Sequence, residues 1–119
     1  MLWIVDTVRS AGRYTIPVCV ETDVRLYVLF VAPTAPEEGP PPVVRHAITV
    51  TTTDGASLAW RGAGRRGDRV EELLFAHFDP PPPDATYLDV SLAWTPMETP
   101  DAEVVSDVAV RLRRLDVGS

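Results

Sequence analysis

Lysine, asparagine and glutamine are absent from this 119-residue sequence. All 11 cations are therefore arginines. Lysine and asparagine codons are A-rich, so the gap fits a G+C-rich coding sequence. Without asparagine there is no N-glycosylation acceptor. Cysteine is nearly absent as well. Cys19 stands alone, which excludes an intramolecular disulfide and suits a reducing compartment. No apolar run approaches the ~20 residues of a membrane-spanning helix. The opening MLWIVDTVRS has no basic segment and is interrupted by Asp6, so no secretory leader is expected. These absences predict a cytoplasmic location and no membrane partner.

Apolar residues nevertheless make up 45% of the chain, enough for a packed core. The length fits a single domain over residues 1–119. A net charge of −6 disfavours nucleic acid and anionic membranes as general partners.

The apolar pattern has a period of two. Leu2, Ile4 and Val8 mark a first strand, with Ala11-Gly12 as a turn. Tyr14, Ile16, Val18 and Val20 share one parity, which leaves Cys19 on the face away from the expected core. Val24, Leu26, Val28 and Phe30 share the next, and Tyr27, Leu29 and Val31 make the opposite face apolar too. That predicts a central strand covered on both faces. Glu21, Thr22 and Asp23 form the hairpin between these two runs.

PTAPEEGPPP (33–42) is a proline-rich connection. VVRHAITVTTT follows, with Ile48 and Val50 inward, and Asp54-Gly55 signals a hairpin. Leu58 and Trp60 alternate in a short return strand, and RGAGRRGDR (61–69) reads as a polar, glycine-rich loop. GDRVEELLFAHF fits both a capped helix and a strand; its adjacent aromatics and abrupt Pro80 favour the strand. In TYLDVSLAW, Leu88, Val90, Leu92 and Trp94 point inward. A last strand has Val108, Val110 and Leu112 on one face and Arg111 and Arg113 on the other.

Seven or eight short strands with frequent turn signals predict an all-β, antiparallel β-sandwich. Four consecutive prolines, 80–83, separate two of the strongest strands. In polyproline II they cover roughly 12 Å, comparable with the ~10 Å between packed sheets. The run is therefore expected to act as a stiff crossing from one layer to the other, since its unfolded state is already restricted.

The order LAWRGAG…ELLFAHFDPPPPDATYLDVSLAW, about the second half of the chain, resembles small immunoglobulin-like β-sandwich domains of actinobacterial hypothetical proteins. Those pair an aromatic-Arg-Gly turn with F-x-P-x-P-P-x-A-x-x-L-x-V before a late strand. The resemblance implies an immunoglobulin-like fold and no assigned reaction or site. PDATYLDV is also similar to the D-x-A-x-Y-x-C of immunoglobulin variable domains, but its spacing is one residue short. Tyr87 also has outward parity, so no tyrosine corner is expected.

Arg61, Arg65, Arg66 and Arg69, set among Gly62, Gly64 and Gly67, form the candidate binding site. Guanidinium groups on a loop suit phosphate or carboxylate ligands; the alternative is a solvated tip neutralised by Asp68, Glu71 and Glu72. Arg66-Gly67-Asp68 and Pro33-Thr34-Ala35-Pro36 match short recognition motifs of extracellular and eukaryotic proteins, and chance accounts for both in a chain of this composition. His46, His77 and Cys19 lack metal-ligand spacing, and no Walker or Rossmann glycine pattern occurs. No catalytic residue, metal ligand or cofactor is assigned. Trp3, Trp60 and Trp94 are expected in the core or at its rim. The function expected is a non-enzymatic interaction or structural module with a protein partner or a second copy. A binder of small anions or polyanions through residues 61–69 is the alternative.

Overall fold

The computed structural model describes residues 1–12, 17–33, 44–67, 71–96 and 105–115. They contain eight strands and no helix: β1 (Leu2–Ser10), β2 (Val18–Glu21), β3 (Leu26–Pro33), β4 (Val44–Thr52), β5 (Trp60–Gly67), β6 (Glu71–Phe78), β7 (Tyr87–Pro96) and β8 (Val105–Arg114). All pair antiparallel in one sheet, ordered β4-β7-β8-β1-β2-β3-β6-β5.

Two separate sheets were expected; the chain forms one. Its inward residues explain how one sheet makes a core. Leu26, Val28 and Phe30 of β3 and Leu74, Ala76 and Phe78 of β6 join a single buried cluster with Leu88, Val90 and Leu92 of β7 and Val108, Val110 and Leu112 of β8. Strands so far apart in the order share a core only if the sheet curls round and encloses one face. The two sides meet first through β1 and β2, where Trp3 pairs with Cys19. They meet again where β4 ends. There Thr51 bridges Ser57, Thr52 N–H donates to Ala56 O (2.8 Å) and Leu58 N–H donates to Val50 O (2.9 Å). Beyond that point β5 turns away to pair with β6, so the barrel is nearly closed and keeps one seam, between β4 and β5.

Local chemistry accounts for the turns. Between β2 and β3, Thr22 Oγ1 accepts from the backbone N–H groups of Val24 (3.3 Å) and Arg25 (3.1 Å). After β4, Gly55 takes φ = +90°, a conformation costly for residues with a Cβ. The Thr52 hydroxyl donates to the Asp54 carboxylate, which holds that carboxyl below its ordinary range.

The strand reading of 71–78 holds, as do the inward faces of β6, β7 and β8. Three expectations fail. Residues 61–67 are not a loop but most of β5. Cys19 faces the core, while Val18 is 51% exposed. Its register explains this: Cys19 lies between Trp3 and Val28, both buried, so reversing the four-residue strand would set its neighbours against the core's edge. Tyr14 and Ile16 lie outside the described residues. Finally, β3 is central but only one of its faces is buried; Tyr27 on the other is 45% exposed.

The proline run does cross the molecule. It leaves β6 and enters β7, which have four strands between them in the sheet. It is not a straight rung, however. Ala85 N–H donates to Pro82 O (3.0 Å), closing a turn with Pro83 in its second position, where a fixed φ is suited. Pro81 is buried.

Candidate functional site

β5 is the last strand of the sheet, and among the described residues its edge away from β6 has no partner. GAG would make a poor strand alone, because glycine has no side chain to pack. It holds here because β6 lends its rings. A Cβ placed on Gly62 would come within 2.5 Å of His77 Nε2, and one on Gly64 within 2.5 Å of Phe75 Cζ. The His77 and Phe75 rings therefore lie across the glycines, toward the free edge.

The inward positions of β5 follow from its register. Trp60, Ala63 and Arg65 pair with Phe78, Ala76 and Leu74, all buried, yet all three are themselves exposed. Trp60 is 60% exposed, against the expectation that it fills the core or rim. The strand overhangs the core along the seam, leaving its inner side chains uncovered.

The four candidate arginines do not converge. Arg61 donates two hydrogen bonds to Asp79, Nε to Oδ1 (2.7 Å) and Nη2 to Oδ2 (2.6 Å). That bidentate contact holds the Asp79 carboxyl below its ordinary range and raises the guanidinium further. It ties the start of β5 to the start of the proline crossing, where Asp79 N–H also donates to Ala59 O (2.9 Å). Arg65 and Arg66 are successive strand residues and project to opposite faces. Arg66 is exposed and, among the described residues, has no ion-pair partner. Arg69 lies outside the described residues, as does Asp68 of the Arg-Gly-Asp string and all but Pro33 of the Pro-Thr-Ala-Pro string.

Outside this edge, the same half of the sheet presents an apolar outer face. Val18 and Val20 of β2, Tyr27, Leu29 and Val31 of β3, and Leu73, Phe75 and His77 of β6 share it by register. The Tyr27 and His77 rings stack at 5.9 Å and 26°. His77 Nδ1 is buried without a hydrogen-bond partner.

His46, His77 and Cys19 stand on three different strands, β4, β6 and β2, with Cys19 in the core and His77 on the outer face by register. Burial pushes the Cys19 thiol up to about 12, so it is not a nucleophile near neutral pH. No group of three His, Cys, Asp or Glu residues able to hold a metal occurs among the described residues.

Three polar clusters had not been anticipated. Arg114 clamps the proline crossing: its Nε donates to Ala85 O (2.8 Å), Nη2 to Pro82 O (3.0 Å) and Nη1 to Glu21 Oε1 (3.2 Å). The guanidinium also lies 4.7 Å over the Trp3 ring, whose Nε1 donates to the same Glu21 oxygen (3.0 Å). Glu21 and Arg114 are 93 residues apart, and nothing local marks the pair. Asp89 receives two hydrogen bonds from Arg111 (2.9 and 3.1 Å), with Arg9 at 3.8 Å. That pair was traceable, because both residues carry outward parity on strands that become neighbours. Asp107 is the extra residue of a β8 bulge, where Leu92 pairs with Val108 but Ala93 with Ser106. The bulge turns Asp107 inward, beside Val108, and its Oδ2 accepts from Trp94 Nε1 (3.0 Å).

No family model matches the chain, and no curated protein or solved structure matches it either. No helix among the described residues is long and apolar enough to cross a membrane.

Proposed function

We propose that the chain is a non-enzymatic protein-interaction module with an immunoglobulin-like arrangement of strands. In immunoglobulin constant-type domains the first, second, fifth and fourth strands form one sheet and the third, sixth and seventh the other. Counted from β2, the strands here run β2-β3-β6-β5 and β4-β7-β8, the same two orders. β1 is then an added strand that seams the two halves through β8 and β2.

The observation that carries the interaction reading is the edge of β5, open among the described residues, with Trp60 exposed on its inner side and an apolar outer face beside it. Natural sheets usually cover or blunt such edges, and an edge of this kind can bind by strand addition. Anion binding by 61–69 has less support, because Arg61 is already committed to Asp79 and Arg65 and Arg66 point apart.

Co-purification from the native host tests the reading, with wild type run beside Trp60→Glu and Tyr27→Glu variants of confirmed fold. A stoichiometric protein retained by wild type and lost from either variant is the expected result. A monomer by light scattering that retains no stoichiometric protein sinks the proposal.

A further inference from the structure

The outer surface of the sheet divides into two unlike halves. Over β4, β7, β8 and β1 it is polar. Arg111 is bonded to Asp89 (2.9 Å), Arg113 lies 4.0 Å from Asp6, and the Thr49 and Ser91 hydroxyls share a hydrogen bond. Over β2, β3 and β6 it is apolar. Cross-strand pairing sets Val20, Tyr27 and His77 in one row and Val18, Leu29 and Phe75 in the next. Val18, Val20 and Tyr27 are 51%, 41% and 45% exposed, and Leu2, paired with Val20, extends the first row onto β1. Gly62 and Gly64 extend both rows onto β5, where the His77 and Phe75 rings lie over them and keep the surface level. Among the described residues, charged positions on this face occur only at its margin, at Arg66 and Glu71, and they are opposite in sign.

The area and charge of this face select its occupant. Four strands ~4.8 Å apart by three rows ~6.6 Å apart span roughly 400 Å². That is the size of the largest apolar patch on an ordinary monomer, and such patches are often functional. An uncharged face offers a charged partner nothing to pair with. A partner that overhung the patch would strip water from the Arg113–Asp6 and Arg111–Asp89 pairs on the neighbouring strands. A second copy brings a face of the same size, chemistry and twist, and two sheets of equal twist stack with their side chains interdigitated. Each copy carries −6, so two copies repel least where the surface holds no net charge. The area falls below the ~800 Å² per partner of a standard stable interface, so contact of these faces gives a weak, reversible dimer.

On the footing that the chain is the interaction module proposed above, we infer that its partner is a second copy of itself, held face to face through the outer side of β2, β3 and β6. The contact is isologous, the same patch on both copies. Tyr27, Leu29 and Phe75 form its centre, and Trp60, on the inner side of β5, lies outside it. Because no ion pair joins the faces, added salt screens the repulsion between the copies and strengthens the dimer.

Sedimentation equilibrium of the full chain tests this. Between about 10 µM and about 1 mM, wild type should pass from monomer to dimer with Kd on the order of 100 µM. Tyr27→Arg and Val18→Arg should each raise Kd about tenfold or more. Trp60→Ser should leave Kd unchanged, and raising salt from about 50 mM to about 500 mM should lower it. Circular dichroism confirms that each variant is folded; Val20→Arg replaces any that is not. A monomer across the whole range, a dimer indifferent to substitutions on the face, or one lost with Trp60→Ser or with added salt overturns the inference. The host co-purification separates the two levels. A different stoichiometric protein captured by a chain that sediments as a monomer keeps the interaction reading and removes the second copy as occupant. A monomer that captures nothing removes both.

Discussion

Cys19 shows how much a neighbour's register can impose on one side chain. Its own strand has four residues, two of them valines of the opposite parity, and hydrophobicity alone sends those valines inward. Pairing with Trp3 and Val28 reverses the assignment. The thiol then loses its hydration, and its pKa moves up to about 12. Native protein treated with iodoacetamide near neutral pH should leave Cys19 unmodified, and denatured protein should label to one equivalent. Labelling of the native state at the rate of a free thiol would put Cys19 at the surface. Trp60 is the converse case. Alternation with Leu58 marks it as inward, and it is, but among the described residues no strand covers that side of β5. Parity can be read from one strand; coverage depends on a second.

The proline crossing was legible as an element and only half legible in its role. Four prolines between strong strands implied a stiff connection, and β6 and β7 do stand on distant parts of the sheet. The turn that ends the crossing, and the Arg114 clamp that anchors it, arise from contacts with residues remote in sequence. Replacing Pro80, Pro81, Pro82 and Pro83 together by alanine should lower stability by about 2 to 3 kcal/mol, mainly through the freed unfolded chain. Arg114→Ala should lower it by about 2 kcal/mol through its lost charged hydrogen bonds. Arg114→Ala should also speed amide exchange at Ala85. Denaturant titrations read both losses; wild-type stability in the quadruple variant would mean that the prolines do not stiffen the crossing. The segment 61–67 was misread because arginine and glycine signal a loop, and the rings that make it a strand belong to β6.

The molecule as a whole has its carboxylates placed to resist neutral conditions rather than acid. Asp54 is held low by the Thr52 hydroxyl, Asp79 by Arg61, and Asp89 by Arg111 with help from Arg9. Each folded-state value lies below the ~4 of an unfolded aspartate. Their stabilisation is thus fully present above that value and disappears as pH falls through the folded-state values. Wild type should lose thermal stability below about pH 4, and Asp79→Asn/Asp89→Asn should flatten that slope. An unchanged slope in the double variant would assign acid sensitivity to other groups.

The inward faces of β6, β7 and β8 and the all-β class follow from residue order, because a period of two is a local property and each of these strands carries it alone. Whether those strands make two sheets or one curled sheet depends on β1 pairing with β8, at the far end of the chain, as well as with its neighbour β2. The same holds for the open edge. Arginines at 65 and 66 are visible in the chain, but their separation onto opposite faces of an edge strand exists only once β6 has fixed where β5 lies. Long-range pairing carries that information, and no local pattern encodes it.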